Sequence, residues 1–472
     1  MLASLLRICV PNSNIRKWRI MAREIIPHEL KDWSPLSKKD KVWAELDATN
    51  SELNFGIHKY KDCLWTSGFV GVGRILNKKK MPIQTKGKEH IIIISSRYGM
   101  NPWKMLEEVM ADDEYDSYVE ELENNEKFLF KVFYDQPVIR LAQDNQNDGD
   151  LLYALSYVNS CYSLCKKGLK KSMFHQEENY TSKVRGKINI KKNIRENTCR
   201  GRNDRFFCKY IDFTEDNIEN RIIKATLLKC KAILAKRFEE NSEITRRVGY
   251  CMNTLRRVKM VKIRMSDFSN VSASGLYMYY KPLLSQARCI YSQKYFSYAA
   301  EDGHTITKSV FTIPYMINME TLFEFYARTM LKKTINNNKY ELDSYSKKLF
   351  LQKGISKIEE TEKDIHLMPY CIPDIIIRDK ETKKALVVID AKYKDYDRTA
   401  RTDSLQLLSY VLLTGVNRCG FVFPGTQTEI KQMKTSGTDY LSLQTPFVAE
   451  LKYYQLILGD IPNEKVLEKL FL

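Results

Sequence analysis

Residues 372–410 constrain this chain more than any other stretch. They read Ile-Pro-Asp-Ile-Ile-Ile-Arg from Ile372, a polar connector over 379–383, Ala-Leu-Val-Val-Ile-Asp-Ala-Lys-Tyr-Lys from Ala385, and later Leu-Gln-Leu-Leu-Ser-Tyr ending at Tyr410. The two apolar runs have the length and β-branched composition of strands, and the connector is of hairpin size. In an antiparallel hairpin the start of one strand lies beside the end of the next. Asp374 and Asp390 therefore converge. Asp390 and Lys392 are two apart and project from one face.

Two carboxylates beside a lysine suit phosphodiester hydrolysis. Mg²⁺ takes oxygen ligands, and a bound cation offsets charge on the scissile phosphate. The lysine either orients the attacking water or stabilises charge as it develops on phosphorus, and the sequence leaves both roles open. Taken singly, Asp374 reads as a strand-entry residue and Lys392 as a solvated strand-end cation. Asp390 weighs more, because an acid straight after Leu-Val-Val-Ile needs a partner if it is buried.

This pattern resembles the PD-(D/E)xK nuclease superfamily, with Pro373 and Asp374 as its first half and Asp390, Ala391 and Lys392 as its second. Gln406 and Tyr410 match the Q-x-x-x-Y signature of the RecB-like branch, and their i, i+4 spacing puts them on one helical face. The resemblance implies metal ligation by Asp374 and Asp390, with Mg²⁺ or Mn²⁺ as cofactor, and a catalytic set that includes Lys392, Gln406 and Tyr410. It also implies that an acid on the preceding helix, Glu324, can reach the site. The plain alternative for Glu324 is a surface residue of an amphipathic helix.

The chain has 472 residues, enough for two or three domains, and a net charge of +18. Such an excess suits a polyanionic partner, nucleic acid before membrane. A generally Lys-rich composition is the bland alternative. The charge concentrates over 166–209, with 14 Lys/Arg against 4 Asp/Glu. Lys183, Arg185, Lys187, Lys191, Lys192, Arg202 and Arg205 are candidate DNA contacts there, with aromatics at Phe206, Phe207, Tyr210 and Phe213. By contrast, residues 107–126 are acidic (Asp112, Asp113, Glu114, Asp116, Glu120, Glu121) and read as plain surface or a protein-facing side.

The 11 cysteines include no C-x-x-C pair. Cys161 and Cys165 are four apart, but no second pair follows at zinc spacing, so they read as free buried thiols in a reducing cytoplasm. Only Cys371 and Cys419 fall in the expected nuclease region over 311–472, against a four-cysteine iron–sulfur cluster. The histidines do not cluster. No apolar run is long enough to span a membrane. Residues 1–21 read as a loose tail, with Met21 an alternative start. There is no G-x-x-x-x-G-K-[ST], so no nucleotide is bound by a P-loop of this chain.

The expected organisation is an α+β/α/β multidomain chain: the tail, a β-rich partner-docking domain over 22–150, a mainly helical basic region over 151–310, and a nuclease domain over 311–472. Helices are expected over 151–169, 215–238 with Thr214 as N-cap, 278–298, 318–336 and 402–414. Strands are expected over 348–352, 365–370, 372–378, 386–393 and 418–424. From residue 318 on, this order is αβββαβ, the core order of the PD-(D/E)xK superfamily.

Beyond that core, roughly residues 60–450 resemble McrC, the nuclease subunit of McrBC and LlaJI-like restriction systems. The resemblance rests on Gly68-Phe-Val-Gly-Val-Gly-Arg-Ile, His90-Ile-Ile-Ile-Ile-Ser-Ser-Arg, Val184-Arg-Gly-Lys-Ile, Phe207-Cys-Lys-Tyr, Thr214-Glu-Asp-Asn-Ile-Glu-Asn-Arg and Asn318-Met-Glu-Thr-Leu-Phe-Glu. It implies an Mg-dependent endonuclease subunit of an anti-phage restriction complex. It also implies a separate McrB-like AAA+ GTPase hexamer that drives cleavage and whose GTPase the N-terminal domain stimulates. The alternatives are a stand-alone RecB-like repair nuclease and a DNA-bound adaptor with a dead nuclease fold. Intact Asp374, Asp390 and Lys392 argue against the adaptor.

Overall fold

The computed structural model describes residues 25–37, 42–46, 55–124, 127–136, 139–141, 149–236, 238, 242–301, 310–335, 339–345, 349–350, 370–399, 401–425, 427–433 and 452–458. The expected tail and most of the strand expected over 365–370 lie outside them. The chain is a mixture of helices and sheets. It divides into two compact units: one built on Tyr134–Ile313, the other on Asn12–Phe133 with Pro314–Leu472.

The 134–313 unit is organised around the helix Gly149–Lys167, with Ile218–Leu234, Glu243–Thr254 and Tyr280–Glu301 packed on it. Apolar residues surround most of the first helix, so Leu151, Leu155, Tyr157, Val158 and Cys161 are all buried, as expected of a central helix. The second helix starts at Ile218, capped by Asn217, whose side chain accepts from the Asn220 N–H at 3.0 Å. Thr214, the expected cap, instead accepts from the Asp216 N–H at 3.0 Å and closes the preceding turn.

This unit also holds an antiparallel sheet that the helical reading of the region missed. Arg205–Thr214 pairs with Ser172–Thr181 on one side and Lys187–Ile188 on the other. Its alternation is hard to read because many side chains on both faces are solvated: Met173, Ile211 and Phe213 are exposed alongside Lys187 and Lys209.

In the other unit, one sheet runs in the order Ile25–Lys31, Lys88–Ser95, Phe69–Arg74, Tyr315–Asn318, Phe130–Val132. Gly71 is required here. Its φ is +148°, and a Cβ would sit 2.2 Å from the Tyr315 carbonyl oxygen. Only glycine lets the two backbones approach this closely.

The second sheet runs Tyr340–Leu342, Ile375–Asp379, Ala385–Ala391, Arg418–Pro424, Lys452–Leu458, Glu429–Met433. The 375–379 and 385–391 strands form the expected antiparallel hairpin. The next pairing, to 418–424, is parallel and is bridged by the helix Arg401–Thr414, as parallel strands require. The sheet's other outer strand is 340–342. Leu349–Phe350, within the expected 348–352 strand, pairs instead with Tyr370–Cys371 in a separate ribbon. Ile376, Val388, Leu407, Tyr410, Val411, Phe421 and Phe423 form the core between the sheet and the 401–414 helix. The helix Met319–Thr334 packs against the 385–391 strand and places Phe323 against Tyr393.

Candidate active site

The hairpin register pairs Ile375 with Ile389, so Asp374 comes one step further on beside Asp390. Asp374 Oδ2 accepts from the Ala391 N–H at 2.7 Å, which fixes its carboxylate across the hairpin. Asp390 is 1% exposed, and no hydrogen-bond partner of good geometry meets its Oδ1. The other oxygen has an ionic partner: Lys392 Nζ lies 2.6 Å from Oδ2. A buried carboxylate with an oxygen left over is costly unless something else engages it.

Lys392 is held from two sides. Its Nζ donates to Gln406 Oε1 at 3.2 Å, Gln406 Nε2 donates to the Tyr410 hydroxyl at 2.6 Å, and that hydroxyl donates to the Ile372 carbonyl at 3.1 Å. The 401–414 helix thus ties the lysine to the strand that carries Asp374. Glu324, from the 319–334 helix, accepts from the Tyr345 hydroxyl at 3.0 Å.

The electrostatics are those of crowded acids. Burial, then Glu324 and Asp390, push Asp374 well above the usual carboxylate range. Burial raises Asp390 too, although Lys392 works against it. Burial also raises Glu324, offset in part by the Tyr345 hydroxyl. Burial opposes the charge of Lys392, but Asp390 and Asp374 outweigh it and hold the ammonium above its ordinary pKa. The acids here outnumber Lys392, and their crowding makes each hold its proton more readily. Among the described residues no three carboxylates come within 4.8 Å of one another. Asp374 and Asp390, adjacent across the hairpin, are oxygen donors that could hold a hard cation.

A family model described as "McrBC 5-methylcytosine restriction system component" matches residues 126–424, more than half of the chain. The chain belongs to this McrBC family. Two solved structures are similar to it. One is the half-complex of Thermococcus gammatolerans McrB AAA+ hexamers with bound McrC, at 14% identity and TM-score 0.37, covering 94% of this chain and 99% of that one. The other is the Thermococcus gammatolerans McrBC complex, at 14% identity and TM-score 0.29, covering 66% of this chain and 89% of that one. Likenesses this distant carry no argument of their own, so the assignment rests on the family match. No curated protein matches the chain. No helix among the described residues is long and apolar enough to cross a membrane.

In this McrBC-family chain the sequence reading missed several residues around the site. Asp403 ion-pairs with Lys394 and lies 4.0 Å from Lys392 Nζ. It sits three residues before Gln406, so helical spacing could have found it. Arg328, four residues after Glu324, is 2% exposed; it donates to Glu114 Oε2 at 3.0 Å and reaches the Asp374 carbonyl at 3.5 Å. Tyr393, next to Lys392, meets the Ser96 hydroxyl at 3.0 Å, and Arg97 donates to its carbonyl at 3.1 Å. No local pattern marks those long-range partners.

Part of the acidic stretch, read as plain surface or a protein-facing side, is engaged inside its own unit. Glu114 pairs with Arg328, and Asp112 and Asp113 pair with Lys332, all within one unit.

In the 134–313 unit the basic residues lie on and beside the small sheet. Lys183, Lys187, Lys191 and Arg202 are exposed and Arg205 is half-buried. Two others are already engaged: Arg185 with Asp212 at 3.1 Å, stacked over the Tyr210 ring, and Lys192 with Glu177.

Proposed function

We propose that this chain is the McrC-like, DNA-cutting subunit of a restriction system, built on a PD-(D/E)xK core, and that it works with a McrB-like AAA+ GTPase. The observation that carries the reading is Asp390, buried beside Asp374 and Lys392 with a carboxylate oxygen no protein group satisfies, in a McrBC-family chain. Asp374 and Asp390 fit a hard divalent cation, Mg²⁺ or Mn²⁺. When bound, such an ion supplies positive charge against the scissile phosphodiester.

The protein's own groups do the positioning. Asp374 is held by the Ala391 N–H. Lys392, kept charged by Asp390 and aimed by Gln406, either orients water or stabilises negative charge on phosphorus. Tyr410 braces Gln406 against the first strand. The exposed lysines and arginines over 183–205 suit DNA phosphates, which position without specifying sequence. Having no P-loop motif in its sequence, the chain would leave nucleotide hydrolysis to the partner.

The test is cleavage of methylated DNA by the chain together with a McrB-like AAA+ GTPase, with GTP and Mg²⁺. The Asp390→Asn chain should bind the partner and DNA yet not cut. Undiminished cutting by it would refute the site, and vigorous partner-free cutting by the natural chain would point to a stand-alone nuclease.

A further inference from the structure

A second cluster of chemistry-bearing side chains lies in the 134–313 unit. Cys161 and Cys165 sit one turn apart on the helix Gly149–Lys167, and Cys251 faces them from Glu243–Thr254. All three are buried, and their sulfurs all lie within 4.8 Å of one another. Among the described residues no other trio of His, Cys, Asp or Glu converges in this way. Buried thiols are common as small hydrophobes, but core packing does not ask two helices to aim three of them at one point.

We propose that Cys161, Cys165 and Cys251 form a three-thiolate site for a soft cation, Zn²⁺ or Cu⁺. Thiolate sulfur selects such ions over Mg²⁺ or Ca²⁺. A Zn–S bond of about 2.3 Å places tetrahedral sulfurs roughly 3.8 Å apart, so small side-chain movements close the site.

Charge favours the divalent ion. Three thiolates and Zn²⁺ leave one negative charge, and Arg247 lies one turn before Cys251 on the same helix. Cu⁺ would leave two. An iron–sulfur cluster needs four thiolates, and among the described residues only three converge. A zinc ion would complete its shell with a small ligand from solvent. Binding would staple the 149–167 helix to the 243–254 helix, because the free energy of binding a metal to folded ligands adds to folding.

The test uses the full-length chain, purified under reducing conditions, loaded with Zn²⁺ or Cu⁺ and assayed by elemental analysis. Cobalt(II) substitution gives a second readout, the sulfur-to-cobalt charge-transfer absorption. We expect one ion per chain, none in C251S or C161S, and an unchanged ion count in C419S, which removes a buried thiol from the other unit. Chelation should lower the melting temperature of the natural chain and of C419S but not of C251S. Should C251S fail to fold, stripping and refilling the natural chain decides the matter: the cobalt band either appears or it does not. No bound ion in the loaded natural chain, or a mass two hydrogens lighter from a native disulfide among these cysteines, would overturn the proposal.

Discussion

Asp390 and Lys392 divide the labour at the proposed site. Replacing Lys392 by alanine removes a positively charged group that the buried Asp390 holds at 2.6 Å. We expect kcat for DNA cleavage to fall ~10²–10³-fold, the usual loss for one electrostatic group, while calorimetry shows divalent-cation binding retained. Loss of cation affinity with chemistry intact would reverse the assignment. Gln406 touches Lys392 but not Asp374 or Asp390, so Gln406→Ala should lower kcat less than Lys392→Ala does.

Elements fail where backbone meets backbone or a cap is lost. Gly71→Ala would drive a methyl into the Tyr315 carbonyl at a φ that L-residues avoid. The expected cost is about 2–4 kcal/mol from strain and overpacking together, read as a lower midpoint in chemical denaturation. At the start of the 218–234 helix, Arg221 donates twice to Asp216, at 2.7 and 2.8 Å. These bonds, with the Lys259 N–H, hold Asp216 down at about 2 against an ordinary 3.8. A carboxylate lowered on folding stabilises above its unfolded pKa, and the gain disappears as pH falls through the folded one. Asp216→Asn should therefore melt earlier than the natural chain near neutral pH, and the gap should close between about pH 4 and pH 2. A constant gap would show that the charge contributes nothing.

At the scale of the whole chain, the 12–133 segment and the 314–472 segment form one unit. Tyr315–Asn318 has strand neighbours only from the N-terminal segment, and buried Arg328 takes its counter-charge from Glu114. A 314–472 fragment should lack cooperative thermal unfolding, since it strands a buried cation; a sharp calorimetric transition would contradict this. Partner docking is for the same reason better probed by surface substitutions in the intact chain than by deletion. The net charge of +18 predicts salt-sensitive DNA binding. Alanine at Lys183, Lys187, Lys191 or Arg202 should lower the salt slope by about one per lost phosphate contact. Arg185 and Lys192, already paired with acids, should matter less.

What the sequence determined by itself was local. The 375–391 hairpin, the helix after it and the 418–424 strand were legible because strand length, connector length and helical spacing lie within a few residues of one another. Those same spacings put Asp374, Asp390, Lys392, Gln406 and Tyr410 in order along the chain. Tertiary structure decided what depends on distant partners. It left an Asp390 oxygen unsatisfied, set Arg328 against Glu114, and spent Asp112 and Asp113 on Lys332. It also built a sheet at 172–214 whose solvated faces hide the alternation. Cys251 lies far along the chain from Cys165. Only the packing of one helix on another brings their sulfurs together, and no spacing rule reaches that far.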